Sequence, residues 1–222
     1  MDIKKLLVTL AKILIPPAIG ICTLLAIGLS LDPDTRMKYW YLCMAYFFPP
    51  LGKESVIPIG IAGGDIFVPI VNANIHISPI DPNIMAFSIA LIDSVVSLFV
   101  VWNYDLVKKI PILGRFIKKV EELGRKGSRK YAWVRPLKFI GIVLFVMVPL
   151  QGSGGLVGSI LGRLIGMRAV TTWSAVTLGA FIGCFAIAYF AKVAFSNIVV
   201  ALSILLIVVV VAVIFKVWKE SR

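Results

Sequence analysis

Histidine is nearly absent from this 222-residue chain: His76 is the single one. That excludes an H-E-x-x-H zinc helix, and no Ser-His-Asp set can be assembled around a lone imidazole in a polar connection. His76 has no evident second ligand and reads as a loop residue. Cysteine is scarce too. Cys22, Cys43 and Cys184 lie singly among apolar residues with no C-x-x-C pair, which argues against a disulfide framework or a thiolate metal site. No phosphate-binding G-x-x-x-x-G-K-[ST] loop occurs, so ATP drive is not encoded. Acidic residues number 11 against 23 basic ones, a net charge of +12. No metal, cofactor or enzymatic activity is expected.

What is present is apolar. Hydrophobic residues make up 59% of the chain and the mean hydropathy is +0.97. This composition belongs to an integral membrane protein. The positive charge then reads as the positive-inside rule and attraction to anionic headgroups, with no nucleic-acid partner. Lys4 and Lys5 precede an apolar run over 6–30, read as a retained first span that Pro16 and Pro17 should kink or restart. Further spans are expected over 84–102, 169–191 and 198–217. The connection from Asp65 to Asn83 reads as irregular and exposed. Between Lys108 and Lys138 eleven basic residues face only Glu121 and Glu122. Apolar residues recur there at helical spacing, as in an amphipathic surface helix or a solvated connector.

Two apolar stretches are interrupted midway. One runs Pro49-Pro50-Leu51-Gly52-Lys53-Glu54-Ser55-Val56-Ile57-Pro58, the other Pro149-Leu150-Gln151-Gly152-Ser153-Gly154-Gly155-Leu156-Val157-Gly158. The segments either side are too short to cross a core that needs about 20 residues. Irregular backbone at membrane depth persists only against protein or a wet cavity. We therefore expect re-entrant hairpins over 39–64 and 137–168, with Pro50, Pro58, Pro149 and Gly158 shaping their tips. If both turn back, the N-terminus, the basic connector and the C-terminus all fall in the cytoplasm. The hairpins then enter from opposite leaflets, an inverted-topology repeat with tips near the midplane.

The expected fold class is an all-α membrane protein with four spans and two re-entrant hairpins. It forms one polytopic domain, 1–222, with halves 39–104 and 136–192. The basic connector 105–135 joins the halves, and 1–38 and 193–222 flank them.

Charge inside a membrane segment is costly and usually faces a cavity or a partner. Lys53 and Glu54 are such a pair: Lys53 to receive an anionic headgroup, Glu54 to carry protons, or both to pair structurally near the interface. Asp93 lies midway along a span, with Ser94 and Ser97 on broadly its side. It is a second proton-coupling candidate, or a hydrogen-bonding cap for broken backbone. Gly152, Ser153 and Gly154 form either an anion-holding nest of N–H groups or a tight turn. Arg163 either reaches back to an anion or snorkels to the interface. Trp173, Trp102 and Trp218 read as interface anchors.

The stretch Val148 to Met167 resembles the P-x-x-G-[ST]-G-x-x-x-G signature of the putative small multi-drug export proteins. The stretch Lys53 to Gly60 is similar to their E-x-x-x-P-x-G element. That family in turn resembles the DedA/VTT-type membrane proteins. The resemblance implies paired re-entrant hairpins and proton-dependent movement of lipids such as polyprenyl phosphates. It carries Glu54, Pro58, Gly152, Gly154 and Gly158 as the re-entrant elements; Arg163 departs from the export family's usual small or apolar residue. Three functions follow as expectations: proton-coupled translocation of an anionic lipid carrier, export of small cationic molecules, or a non-transporting membrane organiser. Membrane lipids and protons are the expected partners, and self-association stays open.

Overall fold

The computed structural model describes residues 3–47, 51–68, 73–104, 135–149 and 153–197. Among these are seven helices and one antiparallel β-hairpin. The amphipathic connector and the span over 198–217 lie outside the described residues.

Helix α1 (Ile3–Ser30) runs unbroken through Pro16 and Pro17, where a kink was expected. Pro16 has no amide for the carbonyl of Lys12, four residues earlier. The Asn103 side-chain amide supplies the donor instead, 2.9 Å from Lys12 O. Helix α2 (Pro33–Ala45) starts earlier than its aromatic run suggests. Pro33 is pre-organised for the first helical position, and Asp32 O receives the amides of Thr35 and Arg36. After the first break comes the nine-residue α3 (Lys53–Ile61).

Strands β1 (Gly64–Val68) and β2 (Ala73–Ile77) pair with Ile66 opposite Ile75 and Asp65 opposite His76. The irregular connection expected here is corrected in part: it carries a short hairpin beside an otherwise helical fold. Ile66, Val68, Ile75 and Ile77 supply β-branched residues at alternating positions, the pattern that pays out as a strand rather than a coil.

Helix α4 (Pro82–Trp102) begins on Asp81, whose carboxylate accepts from the amides of Asn83 and Ile84. It is the central helix, packing against α1, α3 and the two helices that close the second half. Those follow α5 (Arg135–Met147): the ten-residue α6 (Gly155–Leu164) and α7 (Ala169–Ser196). Helix α6 ends with Gly166 at φ 81°. The amide of Met167 returns to Gly162 O and that of Gly166 to Arg163 O, a closure in which glycine takes the left-handed position without cost.

Among the described residues three helices are long and apolar enough to span a membrane: Leu7–Ser30, Pro82–Trp102 and Ala169–Ser196. Helices α2, α3, α5 and α6 are shorter. Small residues let α7 lie close to α5. A Cβ on Gly183 would fall 2.7 Å from Met147 O, so glycine sets that approach.

Candidate functional site

Asp93 stands midway along α4 and is buried. One carboxylate oxygen, Oδ1, accepts two hydrogen bonds. The Tyr46 hydroxyl donates to it at 2.8 Å and the Gly155 amide at 2.7 Å. Gly155 is the first residue of α6, where amides have no partner inside the helix. A Cβ there would lie 2.1 Å from the Asp93 carbonyl oxygen, so only glycine allows this approach. The other oxygen, Oδ2, is buried without a hydrogen-bond partner. Asp93 thus caps broken backbone with one oxygen and keeps the other free.

Below it, Ser159 Oγ sits 2.6 Å from both Ser97 Oγ and Gly155 O. One hydroxyl proton serves one acceptor at a time, so the Ser97 hydroxyl completes the set. Asp93 and Ser97 both face α6. Ser94 does not: its hydroxyl turns back to Ala90 O. Its carbonyl receives Trp173 Nε1 at 3.1 Å. Trp173 is therefore a partly buried inter-helix contact, not the expected interface anchor.

Lys53 opens α3, and its side chain is buried. The ammonium donates to the carbonyl oxygen of Val146, one of the last-turn carbonyls of α5 that lack an intrahelical partner. Glu54 follows, partly buried, and its Oε2 is buried with no hydrogen-bond partner. Pro58, four residues on, offers no amide to the Glu54 carbonyl.

These groups border one cavity of about 550 Å³. Tyr46, Lys53, Glu54 and Asp93 form its polar wall; Ile92, Val96 and Leu156 are part of its apolar wall. Both chain breaks reach it, through Gly52 on one side and Gly154 on the other. A largely apolar cleft with a few convergent polar groups is the usual form of a small-molecule site.

The remaining expected residues are placed as follows. Gly154 lines the cavity. Ser153 is buried beside it and donates to Val148 O at 2.7 Å. Gly152 and Pro50 lie outside the described residues. Pro149 is exposed just past α5, and Gly158 packs under Val146 and Val176.

Arg163 is not brought to the cavity. Its Nη1 donates to Met167 O at 2.7 Å and its guanidinium lies 5.0 Å above the Tyr104 ring. At 1.5 Å per residue it stands about 12 Å along α6 from Gly155. Sequence reasoning missed Tyr46. Its signal was the spacing of Tyr39, Cys43 and Tyr46, which puts them on broadly one side of α2. Among the described residues no cluster of His, Cys, Asp and Glu is fit to hold a metal.

Long apolar helices around a buried mid-span carboxylate and a cavity define a helical integral membrane protein. The sequence profile of the putative small multi-drug export protein family matches residues 54–187, more than half of the chain, and the chain belongs to that family. No curated protein matches it. No solved structure does either.

Proposed function

We propose that the chain is a multi-pass exporter of small lipophilic cations, loaded at the cavity between α3, α4 and α6. The observation that carries this reading is Asp93, a mid-span carboxylate that lines the cavity and leaves one oxygen, Oδ2, buried without a hydrogen-bond partner. Two carboxylates, Asp93 and Glu54, stand there against one ammonium, and that ammonium already donates to Val146 O. A guest with a positive charge and an N–H to donate meets the unmet acceptors. The family description points the same way.

In this reading α2–α3 and α5–α6 re-enter the membrane from opposite leaflets, as an inverted repeat. Their lengths of 13, 9, 13 and 10 residues support this, because a full crossing takes about 20. Both termini and the basic connector are cytoplasmic.

The test is uptake of a fluorescent lipophilic cation into inside-out proteoliposomes. Asp93→Asn keeps an acceptor for Tyr46 and Gly155 but removes the charge. We expect transport to fall about tenfold or more, with the melting temperature little changed. Transport at the parental rate would defeat the reading.

A second reading is proton-coupled translocation of an anionic lipid carrier, the step expected of DedA/VTT-type proteins. The feature favouring it is Lys53, a cation in the same cavity beside the amides that follow Gly154. Competition separates the two. A labelled polyprenyl phosphate should be translocated, and slowed by its unlabelled form, under the second reading; unlabelled lipophilic cations should slow cation uptake under the first.

A further inference from the structure

Each short helical pair is closed at its open end by a lysine. In the first pair Lys38, in the second turn of α2, reaches the C-terminal end of α3. Its ammonium donates to Gly60 O at 2.9 Å and Ala62 O at 2.6 Å, and lies 3.3 Å from Ser78 O. In the second pair Lys138, in the first turn of α5, donates to Ile165 O at 2.8 Å, just past the end of α6. Both lysines are partly buried.

A snorkelling lysine would leave its ammonium among headgroups. These two place it on helix-end carbonyls, where orphan acceptors and the negative end of the helix dipole converge. The likeness extends along the chain. Lys38, Pro49 and Gly52 recur as Lys138, Pro149 and Gly152 with identical separations.

We propose that Lys38 and Lys138 are matched clasps, positioning residues that set how far α3 and α6 can swing. The opposite ends of these helices carry the cavity wall: Lys53 and Glu54 on α3, Gly155 and Leu156 on α6. A helix held at its C-terminal end keeps its N-terminal end against Asp93. A released helix tilts and admits water and solutes. The clasps act on access to the cavity, whatever its guest.

The test therefore needs no substrate. In a cysteine-free background Ile92→Cys places one thiol on the cavity wall at a buried position. Its reaction with a small water-soluble methanethiosulfonate is followed in proteoliposomes. Lys38→Met and Lys138→Met, each alone, should raise the labelling rate about tenfold, the scale of one charge-assisted hydrogen bond. Lys38→Arg and Lys138→Arg, which keep charge and donor, should restore the slow rate.

Unchanged rates in both Met variants would overturn the proposal. So would equal acceleration by Arg and Met. A Met variant that cannot be isolated folded is replaced by Lys→Gln at the same position, read in the same way. Cation uptake failing while labelling follows this pattern would strike the substrate reading alone; the converse would strike the clasps alone.

Discussion

Asp93 commits one oxygen to structure and leaves the other without a hydrogen-bond partner, and Gly155 makes that division possible. Gly155→Ala should destabilise the protein by about 3 kcal/mol, because a methyl group 2.1 Å from a backbone oxygen forces α6 away from α4. Gly141→Ala is the control: nothing lies within 4 Å of its added Cβ. It should leave thermal unfolding in detergent unchanged. A Gly155→Ala melting temperature equal to that of Gly141→Ala would refute the close approach. At this scale the charged residues were legible. Lys53, Glu54 and Asp93 announce themselves because an ionisable group in an apolar run needs a reason. Their partners were not. The Gly155 amide and the Val146 carbonyl are backbone groups that every residue has, and Tyr46 looks like its neighbours until α2 turns it inward. In sequence Arg163, two helical turns beyond the glycine-rich turn, stands open between site and interface, and its contacts with Met167 O and the Tyr104 ring were not legible.

Helices show how a sequence rule can hold and still mislead. Pro16 does deprive Lys12 O of its donor, yet α1 continues, because Asn103 arrives from the end of α4. Nothing local to residues 6–30 could disclose a donor more than seventy positions away. A double-mutant cycle makes the compensation measurable. Asn103→Ala should cost about 1 kcal/mol in the parent, the scale of an inter-helix hydrogen bond in membrane proteins. In a Pro16→Ala background, where the helix supplies its own amide, the cost should shrink toward the share owed to Phe99 O, which Asn103 also meets. Equal costs in both backgrounds would mean that Asn103 does not serve Lys12. Elsewhere the helix positions followed from apolar run lengths, with α5 and α6 close to their expected limits. The β-hairpin was hidden by its polar residues. Asn74 and His76 read as loop, although they alternate with Ala73, Ile75 and Ile77.

For the whole molecule, charge asymmetry makes a topology prediction. Reporter fusions after Arg222 and within 105–135 should report the cytoplasm, and a reporter inserted between Val68 and Ala73 should report the opposite side. A reporter at 105–135 found outside would mean that one short helical pair threads the bilayer. Membrane character and the two interrupted segments were legible from composition and glycine–proline placement. That the two tips should meet near the midplane was expected as well; that Ile92 and Val96 of α4 join the wall between them was not, since it depends on how α4 is turned.

The tether from Asp93 to the first turn of α6 has a mechanical meaning. A carboxylate gripped by a neighbouring helix's leading amide cannot gain or lose a guest in isolation. Whatever alters the charge at its free oxygen changes the strength of that grip. Under the proposed exporter function, occupancy is thereby written into the tilt of a ten-residue rod, and loading and movement become two faces of a single event.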